Sequence, residues 1–182
     1  MIILLEGLNC TGKTTMAELF HHYLQLPVLK FNVPKGDPFV EFRDRLEEGI
    51  REHRHFIVDR LHLSNFAYNG ILGGSVLTPD EWIALDVLLA AEKTFLYWML
   101  DTPHAIEERL RLREGRFDQA EQLNRSSLAA IHLRFQKGFD QSLCFVKGSF
   151  MLPQFVNEDG IVSQQFLDNL RVIKATMAGM TY

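Results

Sequence analysis

Residues 7–14 have the residue types and the spacing of a loop that binds phosphate groups. They read Gly-Leu-Asn-Cys-Thr-Gly-Lys-Thr and match the pattern G-x-x-x-x-G-K-[ST]. The two glycines let the backbone approach the phosphates, the lysine reaches the β- and γ-phosphates, and the final threonine hydroxyl can ligate Mg²⁺. The pattern therefore predicts a site for a nucleoside triphosphate. Its predicted members are Gly7, Asn9, Cys10, Thr11, Gly12, Lys13, Thr14 and Thr15.

The segments on either side of this loop have the character that the motif requires. Residues 2–5 are a continuous apolar run, which is typical of a buried parallel strand. After the loop, apolar residues recur at helical spacing and predict a helix over 13–25, with one face formed by Met16, Leu19, Phe20 and Tyr23. A helix that begins at the lysine adds partial positive charge to the phosphate site.

Beyond this unit, predicted strands and helices alternate along the chain. We expect strands at 28–31, 55–59, 95–101 and 144–147, and helices at 38–50, from about 64, and at 79–92, 103–113, 119–140 and 161–177. The alternation predicts an α/β fold with a parallel, doubly wound sheet. Ligands bind such sheets at the C-terminal ends of the strands, where the sequence places Gly7, Lys30, Asp59 and Asp101.

Length and composition narrow the classes of protein that fit. The chain has 182 residues, a formal net charge of −4 and a pI near 6.0, so we expect one domain over residues 1–182 and no nucleic-acid partner. Its two cysteines form no C-x-x-C pair, which is typical of a reducing compartment. No apolar stretch has the length of a signal or membrane-spanning segment. These features favour a cytoplasmic protein without membrane association.

The sequence also lacks the signatures of several large classes of phosphate-loop protein. No N-K-x-D motif for reading guanine is present, which disfavours a GTPase, and no L-S-G-G-Q motif of transporter ATPases occurs. The chain is too short for a helicase core. A compact kinase of a small acceptor is the class that remains.

Three segments of the chain resemble the thymidylate kinases. Residues 59–70 read Asp-Arg-Leu-His-Leu-Ser-Asn-Phe-Ala-Tyr-Asn-Gly, similar to the family signature D-R-x-x-x-S-x-x-A-Y-Q-G except at Asn69. Residues 6–9 resemble the family's E-G-x-D opening, with Asn9 in place of the aspartate. The stretch Leu100-Asp101-Thr102-Pro103 and the arginines after it resemble the family's fourth strand and lid. The likeness covers about residues 1–143.

This resemblance implies a P-loop NTPase fold of the nucleoside monophosphate kinase kind. It implies a five-stranded parallel sheet flanked by helices, an arginine-bearing lid over about 103–118, ATP and Mg²⁺ as cofactors, a nucleotide substrate and a homodimer. Spacing adds that Arg109, Arg113 and Arg116 share one face of the lid helix, whereas Arg111 points elsewhere. Cations on that face suit phosphoryl transfer, which depends on neutralising the charge of the phosphates.

The expected catalytic groups combine these arginines with the loop and the end of the third strand. Asp59 follows three apolar strand residues, a position suited to a carboxylate that binds Mg²⁺. We expect Asp59 and Thr14 to hold this ion together. Arg60 is placed to bridge the donor and acceptor phosphates. The predicted catalytic residues are Lys13, Asp59, Arg60, Arg109, Arg113 and Arg116.

The acceptor side departs from the family in ways that matter for substrate choice. In the family, one face of the helix after the third strand meets the acceptor nucleotide, and a glutamine at the position of Asn69 reads the base edge. The family's usual arginine just after the second strand is missing, and nearby cations could replace it. The expected acceptor-binding residues are Lys30, Phe31, Lys35, Arg43, Ser64, Tyr68 and Asn69.

The loop after the second strand bears on the class of acceptor. A nucleoside kinase needs a general base for the 5′-hydroxyl, typically a carboxylate just after this strand. None lies between Val28 and Lys35, and Asp37 is the first. We therefore interpret the chain as a kinase that transfers the γ-phosphoryl group of ATP to a deoxynucleoside monophosphate, converting dTMP to dTDP. The open alternatives are a deoxynucleoside kinase, a kinase of a modified base or a nucleic-acid end, and a protein that binds ATP without catalysis.

Overall fold

A computed structural model describes residues 1–68, 75–112, 125–157 and 159–180 of the chain. Its strands are β1 (Ile2–Gly7), β2 (Val28–Lys30), β3 (Phe56–Asp59), β4 (Phe95–Leu100) and β5 (Val146–Met151). Its helices are α1 (Lys13–Leu24), α2 (Pro38–Glu52), α3 (His62–Tyr68), α4 (Pro79–Ala91), α5 (Pro103–Leu112), α6 (Arg125–Gln141) and α7 (Gln164–Gly179), and a 3₁₀ helix (Leu152–Gln154) follows β5. Among these residues, no helix is both long enough and apolar enough to cross a membrane.

The described strands form a parallel sheet in the order β2-β3-β1-β4-β5. The central strand is β1, in which Leu5 lies beside Asp59 of β3 and Gly7 lies beside Met99 of β4. Because neighbouring strands run in the same direction, the segments that follow them leave the sheet at one edge. The predicted α/β fold with a five-stranded parallel sheet flanked by helices is confirmed.

Both faces of β1 are buried, which explains why its sequence is apolar without alternation. Ile2 and Leu4 point into a cluster formed with α2, α3, α4 and α6. Ile3 and Leu5 point into a second cluster formed with α1 and α7. A strand covered by helices on both faces needs apolar side chains on both of them, and residues 2–5 provide these.

The last strand begins later than the sequence predicts. Its predicted start is residue 144, but β5 begins at Val146. Asp86 of α4 accepts hydrogen bonds from the Ser142 hydroxyl at 2.8 Å and from the backbone N–H of Leu143. These bonds hold the chain in a turn after α6, so the strand forms only beyond this turn.

The C-terminal segment, for which the sequence indicates little beyond one strand and one helix, completes one face of the sheet. The Ser163 hydroxyl caps α7 by accepting a hydrogen bond from the N–H of Phe166 at 3.1 Å. Phe166 is fully buried, and its ring packs against that of Phe20 in α1, with the ring centres 5.5 Å apart. This packing fixes α1, the helix that carries the phosphate loop, against the sheet.

A buried polar network joins α3, α4 and the turn before β5. His62 Nε2 lies 3.1 Å from Asp86 Oδ1, and both side chains are fully buried. Burial alone would raise the pKa of Asp86, but the hydrogen bonds from His62, Leu143 and Ser142 together lower it below its ordinary value. A carboxylate whose pKa is depressed in the folded state stabilises that state above about pH 4, and this contribution is lost as the pH falls through the folded pKa.

We therefore predict that Asp86→Asn lowers the free energy of unfolding at pH 7 by about 2–4 kcal/mol, because an amide cannot accept all the bonds that the carboxylate accepts. Urea denaturation followed by circular dichroism measures this difference. Asp80→Asn, at an exposed position in the first turn of the same helix, is the matched control and should change stability by less than about 0.5 kcal/mol. The difference between wild type and Asp86→Asn should shrink below pH 4. Equal effects of the two variants, or a difference that does not depend on pH, would contradict the role of the network.

Candidate active site

The phosphate loop joins β1 to α1 through residues in left-handed backbone conformations. Gly7 has φ 141° and lies so close to β4 that a Cβ there would collide with the carbonyl oxygen of Met99. Gly12 has φ 87° and precedes α1 without a side-chain cap, so the N–H groups of the first turn face the loop. Uncapped N–H groups at a helix N-terminus form a site for an anion. The predicted strand, loop and helix are confirmed.

Lys13 lies inside the loop rather than in solvent. Its side chain is 4% exposed, and Nζ donates hydrogen bonds to the carbonyl oxygens of Gly7 at 2.8 Å and Leu8 at 2.5 Å. Burial, and then the nearby charge of Arg60, holds the pKa of Lys13 well below its ordinary value. An anion placed beside the ammonium group would offset both effects, so the environment of Lys13 favours a phosphate ligand.

Thr14 and Asp59 meet at the mouth of the loop. The Thr14 hydroxyl donates to Asp59 Oδ2 at 3.3 Å. The other carboxylate oxygen, Asp59 Oδ1, is buried and makes no hydrogen bond with the described residues. A buried carboxylate oxygen without a partner is costly unless a ligand satisfies it.

This pair fits Mg²⁺ in the way that the sequence predicts. Carboxylate and hydroxyl oxygens suit this hard cation, which usually takes one or two protein ligands and completes its shell with water and substrate phosphates. Among the described residues, no group of three or more His, Cys, Asp or Glu side chains could hold a metal ion. Any Mg²⁺ at Asp59 and Thr14 would complete its shell with water and with phosphate oxygens of a bound nucleotide.

Arg60 and Tyr68 both contact Asn9 of the phosphate loop. Arg60 has φ 69°, and its Nη2 donates to Asn9 Oδ1 at 2.5 Å. The N–H of Asn9 donates to the Tyr68 hydroxyl at 2.8 Å. The Tyr68 ring is 8% exposed and packs edge-on against Phe135 of α6. Asn9 thus links the two segments that the sequence assigns to the donor and to the acceptor.

Glu6 is the buried group that positions α3, and sequence reasoning did not select it. Its carboxylate accepts hydrogen bonds from the backbone N–H groups of Leu61 at 2.8 Å and Leu63 at 3.2 Å, and from the hydroxyl of Ser64. It is fully buried. The signal in the sequence is an acidic residue at the end of an otherwise apolar strand. Because the Ser64 hydroxyl is bonded to Glu6, its predicted contact with the acceptor stays a prediction.

Arg109 reaches the phosphate loop from α5, which forms part of the predicted lid. Its Nη1 donates to the carbonyl oxygen of Cys10 at 2.7 Å and to Asp101 Oδ2 at 2.5 Å. The structure thus brings Arg109 to the same loop as Lys13 and Arg60. The other predicted lid arginines, Arg113 and Arg116, and the predicted base reader, Asn69, lie outside the described residues.

The cations predicted on the acceptor side have different environments. Lys30 ends β2 beside Asp59 and is exposed, as is Lys35 in the following loop. Arg43 pairs with its exposed neighbour Asp44 at 2.7 Å. The predicted contact residue Phe31 is 6% exposed and belongs to the apolar cluster on that side of the sheet.

Sequence reasoning missed Arg45, whose guanidinium lies 4.9 Å from the centre of the Phe31 ring. The N–H of Phe31 donates to the carbonyl oxygen of Asp59 at 3.2 Å, so this ring borders the ends of β2 and β3. A cation placed over the ring therefore lies on the side of the crevice where the sequence predicts the acceptor. Helical spacing alone could not separate Arg45 from Arg43, because both are polar positions of α2.

Leu152 is a second contributor that the sequence does not indicate. A Cβ at Gly12 would lie 2.7 Å from Leu152 Cδ2, so the 3₁₀ helix after β5 packs directly against the phosphate loop. Thr11, at the centre of the loop, is fully buried and donates to the carbonyl oxygen of Leu8 at 2.9 Å. Together these contacts fix the shape of the loop.

Solved structures of other proteins have a fold similar to that of this chain. No protein-family model matches the sequence, and no curated protein matches it. Among solved structures, the YorR protein of Bacillus subtilis, in complex with phosphorylated GDP, is similar with a TM-score of 0.71 at 20% identity over 96% of each chain. Deoxyadenosine kinase from M. mycoides with bound dATP has a TM-score of 0.56 at 11% identity, over 97% of this chain and 100% of that chain. The chain shares the fold of these proteins.

We predict that Lys13→Ala weakens the binding of inorganic triphosphate by about ten- to a hundredfold, because it removes a charged donor from a desolvated site. Isothermal titration calorimetry measures the affinity. The matched control is Lys174→Ala on the exposed side of α7, which should leave the affinity unchanged. If both variants bind triphosphate as wild type does, the glycine loop is a structural turn and not a phosphate site.

Proposed function

We propose that the protein is a kinase that transfers the γ-phosphoryl group of ATP to a deoxynucleoside monophosphate, with dTMP as the acceptor that the sequence resemblance favours. One observation supports this most directly. Consecutive residues of the phosphate loop each offer an oxygen atom to one of three cations. Gly7 and Leu8 bind Lys13, and the next two residues bind Arg60 and Arg109 through the Asn9 side chain and the Cys10 carbonyl.

Three cations around one phosphate loop suit phosphoryl transfer. The reaction is catalysed mainly by positioning the phosphates and neutralising the charge that spreads over them. Lys13 comes from the donor loop, Arg60 from the segment after β3, and Arg109 from α5. They therefore approach the loop from three different elements, as required to surround a phosphate chain that passes between two substrates.

Asp59 and Thr14 would hold Mg²⁺ at the donor phosphates. When bound there, the ion would neutralise phosphate charge and orient the chain. The unpaired oxygen of Asp59 and its hydrogen bond to Thr14 support this role.

The loop after β2 favours an acceptor that already carries a phosphate group. Its first carboxylate, Asp37, accepts hydrogen bonds from the N–H groups of Phe39 at 2.8 Å and Val40 at 3.2 Å, as the N-cap of α2. The next along the chain, Glu41 in the first turn of α2, accepts from the N–H groups of Lys35 and Gly36. Both carboxylates thus bind backbone groups beside the start of α2, whereas a general base must be able to reach the substrate hydroxyl.

A deoxynucleoside is the second candidate acceptor. The deoxyadenosine kinase of M. mycoides, solved also with the products dCMP and dCDP, shares the fold at a TM-score of 0.57. In this chain Asp59 Oδ1 is a carboxylate oxygen with no hydrogen bond to the described residues, and it could accept a proton from a 5′-hydroxyl. This role would compete with the proposed role of Asp59 in holding Mg²⁺.

A screen of acceptors tests the proposal. The common nucleosides and their 5′-monophosphates are each incubated with the protein, ATP and Mg²⁺, and ADP formation is measured. We expect turnover with a deoxynucleoside monophosphate and little or none with the matching nucleoside. Turnover with nucleosides alone would identify the second candidate, and ADP formation that no acceptor stimulates would contradict a kinase of either kind.

Arg45 and Arg43 provide a matched pair for locating the acceptor phosphate. Arg45→Ala should raise the KM for the monophosphate by about tenfold or more with a smaller change in kcat, because it removes a cation that borders the ends of β2 and β3. Arg43→Ala should change KM little, because Arg43 pairs with exposed Asp44. Steady-state kinetics at saturating ATP measures both. A larger effect of Arg43→Ala would place the acceptor phosphate on the other side of α2.

A further inference from the structure

Asp101, the residue directly after β4, accepts hydrogen bonds from Thr102, which precedes α5, and from Arg109, which lies in α5. Its Oδ1 accepts a hydrogen bond from the N–H of Thr102 at 2.7 Å, and its Oδ2 accepts one from Arg109 Nη1 at 2.5 Å. The Thr102 hydroxyl in turn accepts a hydrogen bond from the N–H of Ala105 at 3.2 Å, which caps the start of α5. The Asp101 side chain is 9% exposed, so solvent screens these bonds weakly.

The same nitrogen of Arg109 is fixed on the opposite side by the phosphate loop. Nη1 donates to the carbonyl oxygen of Cys10 at 2.7 Å, and Cys10 itself has a left-handed backbone with φ 65°. A guanidinium group has five N–H donors. The hydrogen bonds of Arg109 to the described residues all use Nη1, so Nε and Nη2 make none with this part of the chain. The side chain is 41% exposed, so a ligand in the crevice can reach them.

We propose that Asp101 is a positioning residue that makes Arg109 a permanent member of the triphosphate site. The sequence alone places Arg109 on one face of a predicted lid helix. The structure adds that Arg109 is held at the phosphate loop by a carboxylate anchored at the end of β4. Arg109 therefore contributes to the binding of the triphosphate in the conformation that the structure describes. This inference rests on the proposed function in one respect, that ATP is the phosphoryl donor.

Asp101 could affect triphosphate affinity through its negative charge or through the position it gives Arg109, and these two effects predict opposite changes when Asp101 is replaced. Removing a negative charge near a triphosphate should tighten its binding by simple electrostatics. Removing the carboxylate that holds Arg109 should weaken binding, because the long side chain then loses its fixed orientation and must be ordered by the ligand. The sign of the change therefore separates the two explanations.

The test uses calorimetry to measure how tightly the protein binds ATP and inorganic triphosphate. It compares wild type with the variants Asp101→Ala, Asp101→Asn, Arg109→Ala and the double variant Asp101→Ala/Arg109→Ala. We expect Arg109→Ala and Asp101→Ala each to weaken both ligands by about tenfold or more, with the asparagine variant in between. The double variant should be no weaker than Arg109→Ala alone, because Asp101 acts through Arg109. Affinity for the acceptor should stay unchanged.

An exposed Asp–Arg pair in α7 provides the matched control. Arg171 Nη1 lies 2.8 Å from Asp168 Oδ1, and both side chains are more than half exposed. Asp168→Ala should leave both affinities unchanged. Circular dichroism of each variant establishes that it is folded, and Asp101→Asn serves if the alanine variant is not.

Three results would overturn the inference. The first is triphosphate binding by Asp101→Ala that is tighter than, or equal to, that of wild type, and the second is a double variant in which the losses of affinity add. The third is a loss of affinity for ATP without a loss for inorganic triphosphate, because this would place Arg109 at the nucleoside. A failure of the proposed function is distinguishable, because it is seen as a lack of acceptor-stimulated ADP formation by wild type, whereas this inference is tested by the triphosphate affinities of the variants relative to wild type. Wild type that binds no triphosphate would also overturn the inference.

Discussion

The arrangement of the site depends on the central position of β1 between two parallel neighbours. Hydrogen bonding of β1 to β3 and β4 sets Leu5 beside Asp59 and Gly7 beside Met99. The segments after these three strands must therefore leave the sheet side by side. They supply the phosphate loop, the pair Asp59 and Arg60, and Asp101. Without this register the phosphate loop, Asp59 and Asp101 would not lie side by side, whatever the local sequence of each segment.

This arrangement buries charged groups, and the structure satisfies them to different degrees. Lys13 has lost most of its hydration and is bound by two loop carbonyl oxygens. Glu6 is fully buried and accepts bonds from the start of α3. Asp59 is only partly satisfied, because one of its oxygens has no partner among the described residues. Buried polar groups are normally paired. Asp59 Oδ1 is one of five buried side-chain atoms that have no partner among the described residues, and it lies beside the phosphate loop, where a bound cation would satisfy it.

The parts of the site that could be predicted from the sequence are those formed by residues close together in the chain. The phosphate loop, the helix that follows it and the carboxylate at the end of β3 each have a local pattern, and the structure places all three at one edge of the sheet. Apart from the pairing of Asp59 with Thr14, the sequence did not predict the contacts between distant segments. Arg109 bonds to a residue 99 positions away, and Glu6 bonds to Ser64 across 58 positions. Arg45 illustrates the same limit, because only the packing of α2 shows that it, and not Arg43, lies over the ring of Phe31. The acidic residue Asp86 reads as a polar position of α4, although it is fully buried against His62.

The central claim is that donor and acceptor phosphates share one crevice lined by Lys13, Arg60 and Arg109. The most direct measurement is the affinity of a bisubstrate compound in which adenosine and deoxythymidine are joined through their 5′ positions by a chain of five phosphates. If both nucleosides and the shared phosphate chain are bound at once, linking them should make this compound bind about a hundredfold or more tightly than ATP in the presence of Mg²⁺. Binding no tighter than that of ATP, with dTMP still able to bind to the saturated complex, would show that the two phosphate groups do not meet and would contradict the account.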